Sequence, residues 1–267
     1  MIGDDVLDLG GQVALVTGAG KGAGRGIALE LAKHNAGGIA VNDFVAERAE
    51  EVVAEIKALG VPASAVPFDV CDLDAVRAAF AKATEELGAV TILVNNAGMA
   101  GPTQAITMST NFWEESPSEW AKYMDTNLYG VFNCCHAALP AMVEAGKGRI
   151  VTIVSDSGRV GEPRQAVYSA AKAGAAGFMR SIAKETGRFG ITANSVALAS
   201  IQTMMSDEQF AAFQQTDGYK AAMSRYTIRR WGQPDDVAAL VAFLCSNRAS
   251  WITGQTYPLN GGYSMAQ

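Results

Sequence analysis

Histidine is scarce in this chain: His34 and His136 are the only two among 267 residues, and both fall in helical patterns. A zinc or other imidazole-held metal site is therefore not expected. Cysteine is nearly as rare, limited to Cys71, Cys134, Cys135 and Cys245. None shows CxxC spacing, and adjacent Cys134 and Cys135 are poorly placed to bridge each other, so the thiols read as reduced, mostly core residues. No apolar run approaches the roughly 20 residues that span a bilayer. A dense basic cluster is also missing, and 21 Lys and Arg against 27 Asp and Glu leave a formal charge of −6. Neither a membrane nor nucleic acid is an expected partner. The reduced thiols make the cytoplasm the expected location, and the stretch from Met1 to Asp8 is acidic and lacks the basic-then-apolar order of a signal peptide.

What the chain does have is regular alternation. With 49% hydrophobic and 18% charged residues, the composition suits a compact α/β core. Short apolar strands are expected at 13–16, 38–41, 63–68, 91–94, 149–154, 191–196 and 255–259. Between them, apolar residues recur at helical spacing, as in Ala49, Val52, Val53 and Ile56, or Val76, Phe80, Ala83 and Leu87. A long helix is expected over 117–145, another over 166–189 and a third over 235–244. Continuous apolar strands separated by helices predict a doubly wound parallel sheet, Rossmann-type, with helices on both faces. No linker interrupts the pattern, so residues 1–267 read as one domain. Two polar segments, 99–116 and 200–233, leave the carboxyl ends of strands, where open α/β sheets bind ligands. The second reads as a substrate lid.

A glycine run, Thr17-Gly18-Ala19-Gly20-Lys21-Gly22-Ala23-Gly24, joins the first strand to the first helix. Glycine lets the backbone approach a pyrophosphate, whose charge the free N–H groups of a helix N-terminus favour. Both Gly18-x-x-x-Gly22-x-Gly24 and Gly18-x-Gly20-x-x-Ala23 fit, so the register stays open. Asp43 ends the second strand, with Phe44 beside it. A carboxylate there accepts from the adenosine ribose hydroxyls and repels a 2′-phosphate, which favours NAD. Lys21 pulls towards NADP, the alternative. Farther on, Tyr168 and Lys172 stand four apart and share a helix face. A tyrosine beside a fixed ammonium releases its proton more readily than one in water, as carbonyl and alcohol interconversion requires.

The ordered set of the glycine turn, Asp69-Val70, Asn95-Asn96-Ala97-Gly98, Asn127, Ser155, Tyr168-x-x-x-Lys172, Ile252-Thr253-Gly254-Gln255 and Gly261-Gly262 resembles the short-chain dehydrogenase/reductase family nearly end to end. That resemblance implies a catalytic tetrad of Asn127, Ser155, Tyr168 and Lys172. Tyr168 would be the proton donor in reduction, and its phenolate the base in oxidation. Lys172 would lower the tyrosine pKa and hold the nicotinamide ribose, Ser155 would hydrogen-bond the substrate oxygen, and Asn127 would help hold a water. It further implies adenine contacts at Asp69 and Val70 and a nucleotide cleft lined by Asn95, Ala97 and Gly98, although Asn95-Asn96 equally suits bracing the sheet. Ile201 and Thr203 would meet the nicotinamide carboxamide and phosphate. The family's usual Pro-Gly after the sixth strand is Leu198-Ala199 here, so this loop is expected to follow its own path.

Substrate contacts are expected from Ser157, Arg164, Leu198 and Met205, with Phe112, Trp113, Met204, Phe210, Phe213 and Met223 as apolar wall or lid packing. Arg159, Arg164, Arg225, Arg229 and Arg230 could meet an anionic handle such as coenzyme A phosphates. The stretch 155–161 is similar to that of alicyclic hydroxyacyl-CoA dehydrogenases. Three readings stand: an NAD-dependent dehydrogenase of a secondary alcohol, cyclic or CoA-linked; an NADPH-dependent 3-oxoacyl thioester reductase; and a nucleotide-sensing relative without catalysis. The resemblance also implies a homotetramer.

Overall fold

The computed structural model of the chain describes residues 5–98, 111–203 and 205–265. Residues 99–110 of the first polar segment and Met204 of the second lie outside the described residues.

Seven parallel strands form one sheet in the order β3-β2-β1-β4-β5-β6-β7. They are β1 (Val13–Val16), β2 (Gly38–Val41), β3 (Ala63–Ala65), β4 (Val90–Asn95), β5 (Gly148–Ser155), β6 (Ile191–Leu198) and β7 (Thr256–Leu259). The order reverses between β1 and β4, the point where doubly wound sheets open a ligand crevice. Strand residues alternate between two cores. Ala14, Val16, Ile39 and Ile92 face one side, against helices α1 (Gly22–Lys33), α2 (Ala46–Ala58) and α10 (Pro234–Cys245). Val13, Leu15, Ala40 and Leu93 face the other, against α3 (Leu73–Leu87), α5 (Gly130–Ala145) and α7 (Ala166–Thr186). With both faces covered, alternation of polar and apolar residues is not needed, and the strands read as continuous apolar runs.

Local chemistry sets the helix boundaries. Asp72 caps α3 by accepting from the Asp74 and Ala75 N–H groups at 3.0 and 3.1 Å. Pro234 opens α10, where its missing N–H costs nothing. The helix expected over 117–145 is interrupted: a 3-10 turn and α4 (Trp120–Met124) lead into a π-helical turn, Asp125–Tyr129, before α5. A π turn holds an extra residue, and here it carries the fully buried Asn127, whose Nδ2 donates to the Tyr123 carbonyl at 2.9 Å. Strand β3 stops at Ala65, short of the expected 63–68, because Val66 and Phe68 turn their carbonyls to Asn42 Nδ2.

Three further short α-helices are α6 (Ser157–Val160), α8 (Asp207–Gln214) and α9 (Asp217–Met223). The α8–α9 excursion has its own small core of Tyr219, Met223 and Tyr226, packed by Phe210, Phe213 and Trp231. Among the described residues, no helix is long and apolar enough to cross a membrane.

Candidate active site

A cleft of about 750 Å³ opens at the carboxyl ends of the central strands. At one end lies the glycine turn. Gly18 and Gly22 have φ of 60° and 55°, backbone that side-chain-bearing residues rarely adopt. Thr17 Oγ1 accepts from the Asn96 and Ala97 N–H groups, both at 3.0 Å, and Asn96 Nδ2 donates to the Thr17 and Gly18 carbonyls. The turn is thus bolted to the end of β4. A Cβ on Gly24 would sit 2.2 Å from the Gly18 carbonyl oxygen. Helix α1 has no side-chain cap and no acidic residue in its first turn, and Gly22, Ala23 and Gly24 line the cleft. Uncapped N–H groups at a helix N-terminus, a backbone cradle and this volume fit a dinucleotide's pyrophosphate.

Asp43 lies beside the turn and is buried. Its Oδ2 accepts from the Gly20 N–H at 3.1 Å and Oδ1 from the Val45 N–H at 3.0 Å, while the Arg48 guanidinium stands 3.9 Å away. Lys21, Arg48 and the exposed Phe44 also line this end. Asp69 and Val70 form the cleft's next wall, where Asp69 Oδ1 holds the Cys71 N–H at 2.9 Å.

At the opposite end, β5 delivers Ser155 and α7 delivers Tyr168 and Lys172. Ser155 Oγ accepts from the Ser157 hydroxyl at 2.9 Å and its N–H at 3.2 Å. Burial pushes the Tyr168 phenol up, and its hydrogen bond with Ser155 pulls it partly back. Lys172 is buried and donates to the Ile153 carbonyl at 2.9 Å; burial pushes its ammonium down to about 8. Its Nζ lies 5.9 Å from the Tyr168 ring centre. A Cβ on Gly98 would lie 3.1 Å from both Asn127 Oδ1 and Lys172 Nζ, so these two groups flank one spot. A phenol, a hydroxyl and an ammonium that converge this way can pass a proton to an oxygen beside them.

Other predicted residues are distributed less evenly. Ala97, Gly98, Leu198, Ile201 and Thr203 line the cleft, with Thr203 lying over the start of α1. Asn95 is buried in the sheet, where its Nδ2 donates to Thr152 Oγ1 at 3.1 Å and meets Cys135 Sγ. Arg164 is exposed with φ of 65°, and Met205 gives its carbonyl to Gln202; neither lines the cleft among the described residues. None of the five arginines expected near the mouth lines the cleft among the described residues, and Arg159, Arg225 and Arg230 pair with Asp156, Glu162 and Asp236. The loop at Leu198-Ala199 is tied by Tyr226, whose hydroxyl accepts from the Ser200 N–H and donates to Ser200 Oγ. Sequence reasoning did not name Asn42, Arg48, Asn96, Cys71 or Thr126 as site residues, yet all line the cleft. Two of them carried a signal: Asn96 as a member of the Asn95-Asn96-Ala97-Gly98 motif, and Arg48 as a cation five residues beyond Asp43 near the start of α2.

A model of the family described as Enoyl-(Acyl carrier protein) reductase matches residues 18–264. The 3-oxoacyl-(acyl-carrier-protein) reductase FabG of Staphylococcus aureus is 42% identical over 254 residues, covering 94% of this chain and 98% of the relative. FabG of Pseudomonas aeruginosa is 36% identical over 261 residues, covering 97% and 100%. The crystal structure of a Sinorhizobium meliloti protein described as a short-chain alcohol dehydrogenase has TM-score 0.86 and 34% identity, covering 97% of this chain and 98% of that one. The chain belongs to the short-chain dehydrogenase/reductase family. It is an NAD(P)-dependent oxidoreductase acting on CH–OH and keto groups.

Proposed function

We propose that the chain interconverts a 3-oxoacyl thioester and its 3-hydroxy counterpart, with NAD(H) as hydride partner. The observation that carries the chemistry is the convergence of Ser155, Tyr168 and buried Lys172 at one end of a cleft whose other end is a glycine cradle. The thioester assignment draws on the FabG relatives, and the choice of NAD(H) draws on the buried carboxylate of Asp43. The bound nicotinamide supplies or accepts the hydride.

The chain's own residues do the rest. Ser155 donates to the carbonyl oxygen, because Ser157 already occupies its acceptor side with two donors. Tyr168 gives that oxygen its proton in reduction and takes it back in oxidation. Lys172 favours the phenolate through its positive charge, and Asn127 holds the relay beside Gly98. Asp43 receives the adenosine ribose hydroxyls, Asp69 and Val70 the adenine, and Ile201 and Thr203 the nicotinamide end. Leu198 borders the substrate from the cleft wall, while Arg164 and Met205, outside that lining, are assigned to the parts of the substrate that project beyond it. Residues 1–267 form one domain with a lid at 200–233, and the protein works as a cytoplasmic homotetramer. Exposed Tyr129 on the π-helical turn leading into α5 supports that assembly through the long helices.

A specific observation favours a second reading. Lys21 and Arg48 flank Asp43 and would suit the 2′-phosphate of NADPH. Initial rates with a 3-oxoacyl thioester, run separately with NADH and NADPH, decide between the two. A higher kcat/KM with NADH is expected, and preference for NADPH would overturn the cofactor choice. Tyr168→Phe should abolish turnover while NADH still binds; surviving turnover would refute the proton route.

A further inference from the structure

Directly after Ser155 stands Asp156, whose carboxylate is almost completely buried and faces away from the cleft lining. A buried carboxylate demands partners. Three side chains supply them: the Arg159 guanidinium, Asn260 Nδ2 at 2.9 Å and the Ser264 hydroxyl at 2.6 Å. Two of these come from the segment after β7, more than one hundred residues away in sequence. That segment is itself preorganised. Asn260 Oδ1 accepts from the Gly262 N–H at 3.0 Å, and its Nδ2 also donates to the Ser264 carbonyl at 2.9 Å.

The opposite side of Asp156 leads to the reacting groups. Its N–H donates to the Leu198 carbonyl at 2.9 Å, and its carbonyl accepts from the Arg159 and Val160 N–H groups, which starts α6. Helix α6 then meets α7 backbone to backbone. A Cβ on Gly158 would lie 2.9 Å from the Ala173 nitrogen and 3.2 Å from Lys172 Cβ. Ser157, the first residue of α6, holds Ser155 Oγ with both its hydroxyl and its N–H. The placement of Ser155 against Tyr168 and Lys172 therefore depends on where α6 sits, and Asp156 anchors α6.

We propose that Asp156 is a positioning residue for Ser155, and that the carboxyl-terminal segment 260–264 acts on catalysis by holding the Asp156 carboxylate. The inference rests on the reading of Ser155 as a catalytic group. Asp156 itself touches neither cleft nor substrate, so its loss should affect the chemical step and spare dinucleotide binding at the far end.

The test is a double-mutant cycle on the full chain, with steady-state kinetics on a 3-oxoacyl thioester and NADH titration. Asp156→Asn keeps the shape but turns one acceptor into a donor facing Asn260 and removes the charge that Arg159 pairs with. It should lower kcat on the order of 10-fold to 100-fold, the cost of sub-ångström misplacement, with KM for NADH within about twofold. In a Ser155→Ala background the same change should cost less than about twofold more, since the group it positions is gone. Ser264→Ala, which removes one of the three side chains on the Asp156 carboxylate together with the bonds that Ser264 Oγ accepts from Arg159 and Asn260, should lower kcat about threefold with the same dependence on Ser155. It replaces Asp156→Asn in the cycle if that variant does not fold. Full additivity in the Ser155→Ala background, or unchanged kcat in both Asp156→Asn and Ser264→Ala, would overturn the inference while leaving the function intact. Unchanged kcat in Ser155→Ala alone would instead overturn the catalytic reading and this inference with it.

Discussion

Replacing Lys172 with methionine should make the protein more stable at neutral pH and catalytically inert. The ammonium is buried, and burial alone takes it from 10.5 down to about 8. Below pH 8 the folded and unfolded chains both carry the proton, so the folded state bears the whole desolvation penalty. At about 1.4 kcal/mol per pH unit, the gap corresponds to about 3 kcal/mol. Between pH 8 and 10.5 the folded chain has released the proton and the unfolded chain still holds it, so stability rises with pH through that window. Lys172→Met removes both the penalty and the rise. Methionine keeps an unbranched chain on the same helix, and the hydrogen bond lost at the Ile153 carbonyl returns about 1 kcal/mol. The net gain at pH 7 is about 2 kcal/mol, equivalent to a rise in Tm of about 4–8 °C for a chain of this size. Thermal unfolding from pH 7 to 10 measures it, at one protein concentration. The difference between the two proteins should narrow as pH rises. Turnover should fall roughly 100-fold or more with the ammonium gone. A lower Tm for the variant at pH 7, or an unchanged pH slope between 8 and 10, would refute the reasoning.

Two further outcomes are expected. Gly24→Ala places a Cβ 2.2 Å from the Gly18 carbonyl oxygen and 2.4 Å from Asn96 Nδ2, so the turn must open. Overpacking of this kind costs about 1–3 kcal/mol, and calorimetric titration should show NADH affinity reduced at least tenfold, on the order of that penalty; an unchanged Kd would place the pyrophosphate elsewhere. Arg225→Gln breaks the pair with Glu162 that ties the segment before Tyr168 to the end of α9. Arg225 is more than half exposed, so Tm should barely move, the pair being worth less than about 1 kcal/mol. KM for the thioester should nevertheless rise severalfold while NADH binding stays constant. Unchanged KM would remove the α8–α9 excursion from substrate binding.

Strand number, the parallel sheet and the strand-to-helix order were written in local sequence, because continuous apolar runs bounded by turn residues have few other ways to be buried. The glycine turn and the four-residue spacing of Tyr168 and Lys172 were equally legible, since a single strand-to-helix junction and a single helix face decide them. Where long-range contacts decide, sequence reasoning stopped short. Nothing local announces that Asn127 sits in a π-helical turn, or that Asn96 rather than Asn95 holds the Gly18 carbonyl. The five arginines looked alike in sequence, and only the fold gave three of them carboxylate partners. Phe210, Phe213 and Met223 read in sequence as either pocket wall or lid packing, and packing on Tyr219 and Trp231 gathers them into a core of the lid's own. The sequence by itself determined which reactive groups the chain offers and how far apart they stand, because residue type and short spacing fix the reactivity a segment can present. Only the tertiary structure decided what holds them in place, as Asn260 and Ser264 reaching Asp156 show, because hydrogen bonds between distant segments exist only once the sheet has brought those segments together.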